Sequence, residues 1–172
     1  MSKSFVRNAV AVAALVASSA SQASLLGETV NVDFYFPDQS TLYCNSGTAV
    51  VGAGIEYAAG CSGFGPVSID ISDTQLIVNT GGVGWATGAF NGFLLDVLGG
   101  WDFTSAIYDS GSMNVTSLQL DNGNLWVNFA GQLGGQAVID IAGTNNNIPE
   151  PATAALLGMA LLGLAGARRR RS

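Results

Sequence analysis

The chain of 172 residues contains no histidine. A Ser-His-Asp or Cys-His catalytic arrangement is therefore excluded, as is any imidazole-bound metal. Its six basic residues are Lys3, Arg7, Arg168, Arg169, Arg170 and Arg171, so none falls in the long interior stretch. Without lysine there, the interior has no Schiff-base nucleophile and no amine general base. Without any cation it cannot displace phosphate counterions, which excludes nucleic acid as a partner. All twelve acidic residues lie between Glu28 and Glu150. Internal salt bridges are thus impossible in that stretch, and stability must come from apolar burial, backbone ladders and cross-linking. Cysteine is scarce too: Cys44 and Cys61 are the only two, too few soft ligands for zinc. No repeat of fixed period occurs, so the regular threonine array that ice binding requires is missing.

The cations that do exist mark two addresses. Ile148-Pro149-Glu150-Pro151 is followed by a small, apolar run from Ala152 to Ala167 and then by the four arginines. Each proline ring removes a donor and biases its predecessor toward extended geometry, so Pro149, Glu150 and Pro151 form an exposed spacer. As a helix the apolar run rises about 24 Å, short of a ~30 Å hydrocarbon core but bridgeable when arginines snorkel and the bilayer thins. The positive-inside rule keeps Arg168 to Arg171 cytoplasmic and sends everything before Pro149 across the inner membrane. The N-terminus points the same way. Lys3 and Arg7 form a basic region, Ala9 to Ala17 an apolar one too short to span, and Ser21-Gln22-Ala23 a small-residue site for signal peptidase, with cleavage expected after Ala23. The expected organisation is a signal peptide over 1–23, a body over 24–142, a linker over 143–148 and a sorting segment over 149–172. The body, roughly 120 residues long, is one domain with a single core.

Pro-Glu-Pro, a short Ala/Leu/Gly helix and a terminal arginine cluster, in that order over Ile148 to Ser172, resemble the PEP-CTERM sorting signal of Gram-negative bacteria, a tail sometimes labelled the C-terminal domain of ice-binding proteins. The resemblance implies recognition in the inner membrane by exosortase, a protease-transpeptidase, and cleavage near Pro149-Glu150-Pro151. The body would then be released or attached to envelope or extracellular material, in a host that makes exopolysaccharide and forms biofilm or floc. Stretches of the body are also similar to PEP-CTERM proteins: Tyr35-Phe36-Pro37-Asp38, Gly52-Ala53-Gly54-Ile55-Glu56, Val67 to Asp73, Phe90-Asn91-Gly92-Phe93 and Leu125 to Gly131. They imply an all-β secreted domain with no activity attached.

Periodicity gives the same fold class. Val30, Val32, Phe34 and Phe36 alternate with Asn31, Asp33 and Tyr35, the pattern of a half-buried strand, and Pro37 to Ser40 turns the chain. Further strands are expected over Thr48–Val51, Ile55–Tyr57, Val67–Ile71, Gln75–Asn79, Phe90–Val97, Phe103–Tyr108, Ser117–Leu120, Leu125–Phe129 and Gln136–Ile141. Asn122-Gly123 supplies the positive φ of a type I′ hairpin. Eight to ten short strands without helical periodicity predict an antiparallel β-sandwich, with a jelly-roll-like arrangement or flattened barrel as the alternative. In an exported chain Cys44 and Cys61 are expected to form a disulfide contributing about 3 kcal/mol; the alternative is two buried free thiols.

Carboxylates are the remaining acid-base groups. Asp70 with Asp73, or Asp102 with Asp109, are the pairs to weigh as glycosidase partners, against the ordinary placement of aspartate at turns and strand edges. Asp70 and Asp73 are also the candidates for a calcium site, since calcium prefers hard oxygen ligands, although no acidic calcium loop occurs. Trp101 and Trp85 are the candidates for stacking on sugar rings, Trp101 being expected at the surface between Gly100 and Asp102, whereas Trp126 lies on the opposite strand face to Leu125 and Val127. Asn114-Val115-Thr116 matches a glycosylation acceptor. The expectation is a non-enzymatic, cofactor-free envelope or extracellular-matrix protein whose partners are signal peptidase, an exosortase-like protease and extracellular polysaccharide. The alternative is a carbohydrate-binding module.

Overall fold

The computed structural model describes residues 24–58, 61 and 66–146. The expected signal peptide, the Pro-Glu-Pro spacer, the apolar run Ala152 to Ala167 and the arginine cluster lie outside the described residues. Among the described residues there is no helix long and apolar enough to cross a membrane. Ten strands appear among the described residues: β1 Thr29–Tyr35, β2 Leu42–Val50, β3 Ile55–Tyr57, β4 Ser68–Ile71, β5 Gln75–Asn79, β6 Gly92–Val97, β7 Trp101–Gly111, β8 Ser117–Asp121, β9 Asn124–Asn128 and β10 Gln136–Asn145.

They form two five-stranded sheets, β2-β1-β6-β9-β8 and β3-β4-β5-β10-β7, and every pairing is antiparallel. Alternation decides which residues meet between the layers. Val30, Val32 and Phe34 of β1, Leu125 and Val127 of β9, and Phe93 and Leu95 of β6 point inward from the first sheet. Ile69, Ile71, Leu76, Val78, Ala137 and Ile139 answer from the second. Rings thicken one end of this core: Trp85 stacks on Phe129 at 4.9 Å, and Phe34 lies tilted against Phe93 at 5.6 Å. The β8–β9 hairpin turns as expected, with Asn122 at φ 50 and Gly123 at φ 81, the left-handed pair that a type I′ turn needs.

Four elements differ from the sequence-based expectation, among them β7, which runs Trp101–Gly111 rather than Phe103–Tyr108. β2 begins at Leu42 rather than Thr48: on this edge strand Leu42 and Tyr43 are both exposed, and two register irregularities against β1 break the period. Phe90 does not join β6; its amide donates to the Pro37 carbonyl instead. Finally, β10 runs to Asn145 and pairs with Trp101, Asp102 and Phe103, so residues expected to begin a linker at Gly143 are part of the ladder.

The two sheets are tied at both edges. Cys44 on β2 is bonded to Cys61, beyond β3, which links the sheets with a sequence separation of 17. On the same side the Tyr57 hydroxyl of β3 lies 3.0 Å from the carbonyl oxygens of Val30 and Gly47, reaching both β1 and β2 with one proton. At the other edge the Phe103 amide of β7 donates to the Gly123 carbonyl in the β8–β9 turn. The result is a sandwich with its edges pinned, near in character to the flattened-barrel alternative.

Burial pushes the Tyr57 phenol up to about 12. A raised pKa means that the neutral form is the one the fold favours, so its contribution is complete below the free phenol value near pH 10 and declines as pH rises toward 12. Tyr57→Phe is expected to cost about 1 kcal/mol in urea unfolding at pH 7, and the difference from wild type should shrink when the same titration is run above pH 10. An unchanged midpoint at pH 7 would show that the inter-sheet hydroxyl is idle.

Candidate functional site

The two tryptophans expected to stack on sugars are in the core, which corrects that assignment. Trp101 is 2 % exposed and Trp85 is 5 % exposed. For Trp101 the physical reason is its cross-strand neighbourhood: a side chain at Gly143 would occupy the space that its indole fills, and Phe103 closes on it edge-to-face at 4.8 Å. Trp85 is taken up by Phe129 and Phe34.

The aromatic surface is elsewhere, on the outer face of the β2-β1-β6-β9-β8 sheet. Trp126 points away from the core between Leu125 and Val127. Its ring meets Tyr35 of β1 at 4.9 Å and the edge of Phe90 at 5.5 Å. On the intervening β6, Tyr35 is paired with Gly92 and Trp126 with Leu94, so the two rings meet along a diagonal of the sheet. Burial, with the Asp33 charge as a second cause, holds the Tyr35 phenol above its usual range.

A loop closes over this face. Residues 36–41 connect β1 to β2, and the carboxylate of Asp38 locks their shape by accepting from the Ser40 amide and hydroxyl and the Thr41 hydroxyl at 2.7 to 3.0 Å. The Ser40 hydroxyl bond and then that of Thr41 hold this carboxyl below its ordinary value. The loop delivers Gln39, whose Nε2 donates to Oε1 of Gln119 at 2.7 Å on β8, at the far edge of the sheet. Gln39, Gln119, Leu120, Asp121 and Trp126 thereby line an open cleft of ≈ 300 Å³. Beside it on β1 and β2, Asn31 and Asn45 both donate to the Asp33 carboxylate, extending a polar row across the face.

Part of this arrangement was readable in advance. The two-residue turn at Asn122-Gly123 sets Asp121 opposite Asn124, and counting back along the hairpin puts Gln119 opposite Trp126. Gln39 carries no such signal, because only the folded loop brings it to β8.

The remaining candidates are dispersed. Asp70 sits in β4, paired with Ile55 and Ile77. Asp73, in the turn that follows, directs Oδ1 to the N-terminal segment, accepting from the Leu25 amide at 2.7 Å, the Leu26 amide at 3.0 Å and the Ser24 hydroxyl at 2.9 Å. Among the described residues no group of three or more acidic or cysteine side chains gathers to hold a metal. Asp102 and Asp109 stand near opposite ends of β7, about 23 Å apart at strand rise, beyond the reach of a glycosidase pair. Asn114 and Thr116 are exposed.

The Leu26 amide, against an opposing cost of burial and with help from the Ser24 hydroxyl and Leu25 amide, keeps the Asp73 carboxyl below its ordinary 3.8. Its stabilising contribution is complete above that ordinary value and is lost as pH falls through the depressed one. Asp73→Asn is expected to lower the thermal midpoint at pH 7 by the equivalent of about 1 kcal/mol once solvent screening is allowed for, with wild type and variant converging as pH falls through the depressed carboxyl value. Equal midpoints at pH 7 would refute the clamp.

No curated protein and no solved structure is significantly similar to the chain. The tail, in contrast, matches a defined family: residues 147–171 carry the PEP-CTERM protein-sorting motif, which implies export, processing by exosortase and membrane-associated sorting toward the cell envelope.

Proposed function

We propose that this protein is a non-enzymatic component of the cell envelope or extracellular matrix, associated with exopolysaccharide or biofilm and delivered there as exosortase cargo. The observation that carries the reading is the sorting motif at 147–171, attached to a disulfide-bonded, all-β body. In this reading signal peptidase removes residues 1–23, Ala152 to Ala167 halt translocation, Arg168 to Arg171 lock the topology, and exosortase recognises Pro149, Glu150 and Pro151.

Support for a non-catalytic body comes from its chemistry. It has no imidazole or lysine, and its scattered carboxylates are engaged with backbone and amide donors, as at Asp73, Asp38 and Asp33. The alternative of a sugar-binding module built on Trp101 and Trp85 loses both residues to the core.

The test is to recover the protein from host envelope and culture medium and determine its C-terminus by intact mass and peptide mapping, beside a Glu150→Ala variant. An end near Pro149 to Pro151 in wild type, with full-length chain accumulating in the variant, is the expected outcome. Mature wild-type protein still ending in Arg168 to Ser172 would overturn the sorting reading.

A further inference from the structure

We infer that the cleft around Trp126 is a binding site for a neutral polysaccharide. The inference deepens the matrix reading above by naming what the body would hold, and it rests on that reading only for the place where the glycan is met. Sugar rings offer two kinds of surface: faces of C–H groups that pack against an aromatic ring, and a periphery of hydroxyls that both donate and accept. The cleft presents both kinds of partner. Trp126 supplies a partly exposed indole held at a fixed angle by Tyr35 and Phe90. Around it, Gln39 and Gln119 use one donor and one acceptor on each other, which leaves the Gln39 carbonyl and the Gln119 amino group for a ligand. Asp121 adds a carboxylate acceptor.

The site is also built in advance of any ligand. Asp38 fixes the loop that carries Gln39, the Phe90 amide anchors that loop through Pro37, and the Gln39–Gln119 bond joins it to the opposite edge of the sheet. Little ordering therefore remains to be done on binding. Charge selects the class of glycan. The cleft holds Asp121 and no cation, on a body in which every charged side chain is acidic, so a uronate- or sulfate-bearing chain is repelled and a neutral one is not. A volume of ≈ 300 Å³ and an open mouth suit about one or two rings of a chain that continues into solvent.

The experiment uses the processed protein from its host and affinity electrophoresis through gels containing a neutral β-glucan or mannan, beside the carboxymethylated form of each. Retardation by at least one neutral polysaccharide and not by its carboxymethylated counterpart is expected. Trp126→Ala should weaken it at least tenfold and Trp126→Phe only partly. Gln39→Ala, on an exposed loop, serves as a second variant should Trp126→Ala fail to fold, and is expected to weaken retardation severalfold. Unchanged retardation in these variants, or none with any neutral polysaccharide, would overturn the site. C-terminal mapping of the same preparation reports separately on sorting.

A second inference rests on a different observation, the clamp at Asp73, and on cleavage after Ala23. Removal of residues 1–23 makes Ser24 the first residue, and its new α-ammonium lies three bonds from the hydroxyl already held by Asp73. We infer that Asp73 is the counter-ion of the mature N-terminus, the one cation that the processed body would possess once both signals are gone. With no lysine after Lys3, that terminus is also its one aliphatic amine, so an amine-reactive ester reports on it alone. Acylation of processed protein at pH 7.5 is expected to be about fivefold faster in Asp73→Asn than in wild type, the response to a pKa change somewhat under one unit. Equal rates would overturn the pairing, whereas an N-terminal mass placing the start elsewhere than Ser24 would instead refute the cleavage position.

Discussion

Negative charge without a counter-charge is the constraint around which this body is organised. Each carboxylate must find its partners among neutral groups, and the structure shows how. Glu56 accepts from the Gly52 and Ile71 amides, Glu28 from the Asn145 side chain, Asp140 from Gln75, Asp102 from Asn146, and Asp33 from Asn31 and Asn45. Amide side chains and turn backbone thus take the place that lysine and arginine hold in most domains. Several of these bonds are also long-range. Glu28 to Asn145 joins the start of β1 to the end of β10, and Asp73 joins a β4–β5 turn to the first described residues. Acceptors held by neutral donors at turns and strand ends become staples between distant parts of the chain.

The interior obeys a complementary economy. Buried polar side chains are few among the described residues, and two of them, Asn91 and Asn128, are adjacent: the Asn128 side chain accepts from the Asn91 and Ala130 amides, and the Asn91 carbonyl accepts from Phe129. This knot stands where β6 begins and β9 ends, beside the Phe93–Phe129–Trp85 ring cluster. Buried Phe90, next to Asn91 in the chain, backs the partly exposed Trp126 on the outer face. The packing of the core and the geometry of the cleft are accordingly one problem rather than two.

What the sequence disclosed tracks what is local. The alternation of Val30, Val32 and Phe34, the Asn122-Gly123 turn and the sorting tail are each written within a few consecutive residues, and each was legible. The edge strand β2 was only half legible, because an edge packs against one neighbour and need not keep its period. Trp101 was misplaced because flanking Gly100 and Asp102 suggest a turn, while the residue that decides its burial is Gly143, across the ladder. Gln39 and Gln119 lie 80 positions apart, and no local rule connects them. The cleft is a product of topology: the hairpin turn pairs Gln119 with Trp126, but alternation alone leaves open whether their face is core or surface.

β10 is paired with β5 over Gln136–Asp140 and continues to Asn145 along β7. From Asn145 to Pro149 the chain spans at most about 14 Å even fully extended, so any pull on the tail is transmitted almost directly into this strand. Such a force runs along the strand axis and loads its two ladders in shear, where many bonds resist together instead of unzipping singly. A load applied at this end is therefore met by the β7 ladder first and by the β5 ladder behind it.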